Sequence, residues 1–343
     1  MQTLLYATED QARQLHTDLN AQKCQLLVTA RPGKLRKTLE ILEKEPGVLT
    51  FYDQPVSIIP NGEYYMHLGV PQAPTNQSKI AATLKMKDGT TKYYLLQDVI
   101  KHSLKGINPV SNKYMLTAYI IHEFIYGLDT ININSTDLDT LETKYRSILR
   151  SMQSLPPSTP TPAIYLMMGV LPCVAERDVE ILRLAGQLAI CDKELQSVSE
   201  ILESNLTNED IQFDGWSGLA RRTAAIYGLI DPLELFQNPW PSHRWSQHAK
   251  TEVIKYWAQL LRENATSHPS LDMLDTSRLN LVDPHPIWTA AGTNPVSIRK
   301  ATIVTWLLLN VYRTGERLSQ MKKAMFDVFG SHGRRNTFWA TMY

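Results

Sequence analysis

The sequence predicts a mainly α fold with a small α/β part at its N-terminal end. Two patterns carry that reading. Short β-prone runs, punctuated by Pro, Gly and Asn turns, fill roughly the first 70 residues. Beyond Val70 the apolar residues recur three and four apart, the period of helices that bury one face. The 343 residues leave room for a sizeable core and about two domains, at the usual ~150 residues each. A charged fraction of 20%, with 35 Lys and Arg against 34 Asp and Glu, is that of a globular chain. That balance excludes a uniformly basic nucleic-acid coat, so any such contact must come from a local patch. Three cysteines (Cys24, Cys173, Cys191), none in a Cys-x-x-Cys pair, exclude a disulfide scaffold and a Cys-rich zinc module and fit a reducing compartment. The start lacks a basic leader, and Glu9-Asp10 come too early for a signal peptide. The longest apolar runs, Tyr119–Leu128 and Ile303–Tyr312, are too short to span a bilayer. The expectation is a soluble intracellular protein, nuclear or cytoplasmic, with no membrane partner.

Taken in order, Glu9 to about Leu19 reads as a short helix and Lys23–Thr29 as a strand closed by Arg31-Pro32-Gly33. Leu35, Leu39 and Leu42 mark a helix over Lys34–Glu45, stopped by Pro46-Gly47. Val48–Tyr52 and Val56–Ile59 look like paired strands, and the turn Pro60-Asn61-Gly62 leads to a further strand over Tyr64–Val70. Helices follow over Lys92–Leu104 and Asn112–Tyr126, the second capped by Ser111. Asp137–Gln153 is the clearest helix: Leu138, Leu141, Tyr145, Ile148, Leu149 and Met152 share a face, with acids at its start and Arg146 and Arg150 near its end. The Pro-rich run 156–162 reads as a short stiff linker. Ala163–Met168 is then a turn or two ended by Gly169, and Glu176–Leu188, Leu195–Glu203, Gly218–Tyr227, Ser246–Asn264 and Arg299–Lys323 complete an all-α second half.

Several catalytic look-alikes fail on spacing. His122-Glu123-Phe124-Ile125-Tyr126 has Tyr126 where a zinc protease needs its second His. His243 and His248 are five apart and face different ways on a helix. Arg31-Pro32-Gly33-Lys34 lacks a phosphate-cradling Gly run, and in Gly215-Trp216-Ser217-Gly218 the serine is misplaced for a nucleophile elbow. Glu9-Asp10 could mimic the paired carboxylates of a two-metal polymerase site, but acids opening a helix are better read as dipole-stabilising residues. No catalytic residue, metal ligand or small-molecule substrate is assigned.

In several segments the chain resembles the region downstream of the catalytic box in non-LTR retrotransposon (LINE-like) reverse transcriptases. Thr3-Leu4-Leu5-Tyr6-Ala7 looks like the strand after the family's Asp-Asp box, and Asn20-Ala21-Gln22-Lys23-Cys24-Gln25-Leu26-Leu27-Val28 like a later strand. His67-Leu68-Gly69-Val70 is similar to a hairpin that contributes to the primer grip, and Phe124-Ile125-Tyr126-Gly127-Leu128 to a motif of the thumb helices. Leu141–Pro157 and Ala163–Pro172 look like the following Leu-Pro and Leu-Gly-x-Leu-Pro segments, and Tyr227–Leu235 with Trp245–Trp257 is similar to the connector. The resemblance rests on the order and spacing of these motifs across residues 3–325. It implies a palm-end remnant with a primer-grip-like hairpin over 1–70, a thumb-like helical bundle over 71–155, the linker 156–162, an all-α connector over 163–329 and a divergent tail over 330–343. The Asp-Asp box is expected before Met1, and no Cys/His knuckle follows the connector. The expected function is primer–template grip, with an RNA template and a DNA primer as partners and no polymerase activity in this chain. The intact enzyme would use Mg, but no cofactor is expected here. The alternative is a non-enzymatic helical interaction module, repurposed or degenerate.

Local charge supplies candidate phosphate contacts. Arg299 to Arg335 holds eight basic residues against two acids, and Lys79 to Arg150 ten against seven. The C-terminal cluster reads equally as a solvated helix face. Trp240, Trp245 and Trp257 lie near Arg244, Lys250 and Lys255, where they could stack bases, but large aromatics at helical spacing favour a core. The nucleic-acid-binding candidates are therefore His67, Leu68, Gly69, Arg146, Arg150, Arg299, Lys300, Arg313 and Arg317.

Overall fold

The computed structural model describes residues 25–28, 34, 37, 40, 50–51, 54–60, 62–101, 108–190 and 215–311. The segments read as helices over Glu9–Leu19 and Leu195–Glu203, the strand at Thr3–Ala7, and Arg313, Arg317 and the tail 330–343 lie outside the described residues. The described chain is mainly helical, with short strands only on its N-terminal side.

The strands pair differently from the expectation. β1 (Gln25–Leu26) runs parallel to β4 (Ser57–Ile58), while β2 (Thr50–Phe51) pairs antiparallel with β3 (Gln54–Pro55). Val56–Ile59, the run read as the partner of Val48–Tyr52, therefore pairs with β1 instead, and β2 pairs with the residues just before that run. Tyr64–Val70 is likewise not one strand. β5 (Tyr65–His67) reverses at Leu68-Gly69 into β6 (Val70–Gln72), with His67 opposite Val70.

α1 spans Gln77–Lys101, starting fifteen residues before the expected Lys92. It passes through Gly89 because Phe124 packs there: a Cβ on Gly89 would stand 2.2 Å from the ring. The next helix begins at Pro109 and is capped by the Asn108 side chain, not by Ser111. That helix continues from α2 (Pro109–Met115) through a π turn at Leu116–Ile120 into α3 (Ile121–Ile125). α4 (Ser135–Met152) is capped by Asn134 and runs parallel to α1, since Ser78 meets Asp137 at one end and Tyr93 meets Ser151 at the other. α5 (Thr161–Met168) ends at Gly169 in the left-handed region, and α6 spans Cys173–Ile190. α7 (Trp216–Ile226), α8 (Pro232–Gln237), α9 (Ser242–Thr266), α10 (Pro286–Ala291) and α11 (Pro295–Leu308) follow. α11 closes at Leu308 with Asn310 at φ 49°, short of the expected Lys323, and the part of the run read as Arg299–Lys323 beyond Val311 lies outside the described residues.

One apolar core runs from Ala81 to Val311 and includes residues on both sides of 156–162. Leu155, Thr159 and Pro160 are buried, so the Pro-rich run read as a short stiff linker packs against the core at a corner of the chain. Trp245 is fully buried against Gly186 and donates to Leu182 O at 2.7 Å. Trp257 is half-buried on the Tyr227 hydroxyl, whereas Trp240 is exposed and stacked on His248. Buried polar side chains satisfy helix ends from a distance. Glu142 accepts from the Tyr165 hydroxyl and, at 3.0 Å, from Val174 N in the first turn of α6. Lys113 donates to Gly169 O at 2.7 Å and to Val282 O, tying two loops across α2.

Candidate functional site

A two-residue link between right-twisted strands favours a mirror-image turn, which in its type I′ form needs positive φ at both central residues. Leu68 and Gly69 meet that need with φ of 49° and 78°. Glycine adopts this conformation freely, but for leucine it stores roughly 1–3 kcal/mol of strain. The Leu68 side chain is 78% exposed, so packing does not offset that strain. Polar contacts to the backbone do. Tyr126 Oη donates to Leu68 O at 3.0 Å, and Lys85 Nζ donates to Gly69 O at 3.1 Å. The Lys85 ammonium also stands 5.1 Å from the centre of the Tyr126 ring.

Helix geometry places Tyr126. It is the first residue beyond α3, and Gly127 turns the chain away at φ 78°. A Cβ on Gly127 would lie 2.4 Å from Val70 Cγ2, so helix end and hairpin meet almost backbone to side chain. The segment that follows is fixed from α6 and α7. Buried Arg177 donates to Leu128 O at 2.9 Å and Ile131 O at 3.0 Å, and Trp216 Nε1 donates to Asp129 O at 2.9 Å.

Between the hairpin and these helices opens a cavity of about 630 Å³, walled in part by His67, Leu68, His122, Tyr126, Asp129 and Arg183. Its charges are mixed. Arg183 pairs with Glu180 at 2.6 Å one helical turn away. Burial pushes the Asp129 carboxyl above its ordinary value and the Lys85 ammonium below its own. Tyr119, His122 and Tyr126, three and four apart, present exposed rings on the helix beside the hairpin.

His67, Leu68 and Gly69 are thus together at the turn. Arg146 and Arg150 are elsewhere, one turn apart on α4. Arg146 donates to Thr143 Oγ1 at 2.8 Å and Arg150 to Thr159 O at 3.4 Å. Burial, and then the neighbouring Arg146 charge, lower the Arg150 guanidinium. Arg299 and Lys300 are exposed on α11, whose Trp306 donates to Ser154 O at 2.9 Å. That bond docks α11 on the loop that follows α4. Sequence reasoning missed Lys85, a lone helical lysine with no motif around it, and placed Tyr126 in a motif without giving it a role.

Among the described residues no cluster of three His, Cys, Asp or Glu is placed to hold a metal ion. The Mg implied by the resemblance finds no donor set among them, and no step is derived through it. Among the same residues no helix is long and apolar enough to cross a membrane. Comparison with protein-family models, with curated proteins and with solved structures finds no match to this chain.

Proposed function

We propose that the chain is a primer–template grip: part of a retroelement RNA-directed DNA polymerase that holds nucleic acid without supplying the catalytic carboxylates. One observation carries this reading. The two motifs through which the sequence resembles that family, His67-Leu68-Gly69-Val70 and Phe124-Ile125-Tyr126-Gly127-Leu128, meet through the Tyr126 hydroxyl on Leu68 O across 58 residues. The exposed turn, the adjacent exposed aromatics and the solvated Arg299 and Lys300 suit a surface that meets sugars, bases and phosphates. No Asp-Asp pair occurs in the sequence, so the proposal assigns grip and not catalysis.

The test is binding of the purified chain to a labelled RNA–DNA hybrid over a salt series of about 50–200 mM. Affinity falls steeply with salt, and Arg299→Ala with Lys300→Ala reduces the slope by about two, one for each lost phosphate contact. Absent or salt-insensitive binding rejects the grip and leaves the helical interaction module. Primer extension by the chain, abolished by Glu9→Ala or Asp10→Ala, would overturn the separation of grip from catalysis.

A further inference from the structure

We infer that Tyr126 and Lys85 are positioning residues for the Leu68-Gly69 turn, holding its backbone in the strained geometry that nucleic acid meets, Lys85 from beneath the surface. The inference rests on the grip reading for what the turn binds, and on geometry alone for what holds the turn. The two carbonyls of the turn are consecutive, and each accepts from a different helix: Leu68 O from Tyr126 at the end of α3, Gly69 O from Lys85 within α1. Lys85 is only 4% exposed, too buried to reach a phosphate outside. Its ammonium lies over the Tyr126 ring, so the two donors are themselves coupled. A Cβ on Gly69 would meet Tyr126 Cε1 at 3.0 Å, so the ring also limits what can occupy the turn. Without these donors, only the short β5–β6 ladder keeps an exposed leucine at φ 49° out of the ordinary left half of conformational space.

Tyr126→Phe removes only the hydroxyl, and Lys85→Met keeps the aliphatic stem. Each is measured two ways in the full chain. Amide exchange at Gly69 and Val70 reports the turn, and hybrid binding across the salt series reports its use. Exchange accelerates about fivefold in each variant, as for one lost hydrogen bond, with the melting temperature held. Hybrid affinity falls by a similar factor at every salt concentration, leaving the salt slope unchanged. In a Leu68→Asn background, where the left-handed conformation is tolerated, the Tyr126→Phe effect on exchange shrinks. A general packing role would not produce that rescue. Wild-type exchange in both variants overturns the inference, as does faster exchange with undiminished hybrid affinity. A salt slope reduced by about one in Lys85→Met also overturns it, by making Lys85 a phosphate ligand. If the wild-type chain binds no hybrid, the grip reading fails, and the exchange data alone still decide whether the two side chains hold the turn.

Discussion

Replacing Gly89 with alanine sets two effects of opposite sign against each other. Gly89 lies inside the 25-residue helix α1, where glycine costs roughly 0.5–1 kcal/mol relative to alanine. Helix propensity alone therefore makes Gly89→Ala stabilising. The packing reverses that. The added Cβ would stand 2.2 Å from both Cδ2 and Cε2 of Phe124 and 2.7 Å from Cγ, closer than side-chain atoms approach. Phe124 has no room to yield: it is 0% exposed and edge-on to the Tyr145 ring at 5.7 Å. Overpacking of this kind costs about 1–3 kcal/mol, and contact with several ring atoms puts it near the top of that range. After the propensity gain, the net loss is about 2 kcal/mol. Thermal and urea unfolding of the full chain measure it directly. Phe124→Leu, which shrinks the opposing ring, recovers part of the loss in the double variant, with a coupling energy of at least about 1 kcal/mol. A Gly89→Ala chain as stable as wild type, or strict additivity with Phe124→Leu, would refute the packing argument.

Glu142→Ala strands the buried Tyr165 hydroxyl and the half-buried Val174 N, and lowers stability by about 2–4 kcal/mol. Glu142→Gln keeps one acceptor oxygen and loses less; equal melting temperatures for wild type and the alanine variant would contradict this. Burial pushes the Asp178 carboxyl up to about 6, against the lowering effects of the Tyr227 hydroxyl and Arg177. An acid raised in the folded state stabilises the fold when protonated, so its contribution is full below about 3.8 and is lost as pH rises through about 6. Urea midpoints of Asp178→Asn should therefore fall less than wild type between those values, with Glu142 and Glu176, also raised by burial, keeping part of the slope. Gly169 and Gly228 share φ 65°, but a Cβ on Gly169 would meet Asp283 O at 2.1 Å while Gly228 has open space. Gly169→Ala should cost about 3 kcal/mol or more and Gly228→Ala about 1, and equal losses in differential scanning calorimetry would refute the distinction.

The helices with one continuous apolar stripe were legible to within a few residues at each end. Leu141, Tyr145, Ile148, Leu149 and Met152 are buried as their spacing predicts, and Trp245 lies in the core. What failed was local chemistry overridden by distant partners. The Lys87-Asp88-Gly89-Thr90-Thr91 stretch is poor in helix formers, yet Phe124 makes its glycine useful inside α1. Leu68 at positive φ has no sequence signal, because the groups that hold it come from residues 85 and 126. The site was half legible for the same reason. Its hairpin stood out as a motif, whereas Lys85, Arg177 and Trp216 act through backbone carbonyls, which accept from any donor and so leave no pattern in the sequence. The Pro-rich run suggested a spacer because composition does not reveal that Leu155, Thr159 and Pro160 turn inward.

The wide turn at Leu116–Ile120 has a consequence for how this chain can change. Ile121 N–H reaches back five residues to Leu116 O, so the helix there carries one residue more than a regular spiral needs. Each residue of an α-helix is worth about 100° of rotation and 1.5 Å of rise. Deleting one residue from this segment would restore a regular ladder that joins α2 to α3 without a bulge. Because the wide turn absorbs that residue, its loss would leave α3 on nearly its present face, with the Tyr126 hydroxyl still aimed at Leu68 O, whereas a residue lost from regular helix would swing everything beyond by about 100°. The wide turn therefore marks the one stretch of this helix where a residue can be lost while both ends keep their tasks, Lys113 tying its two loops and Tyr126 meeting the hairpin.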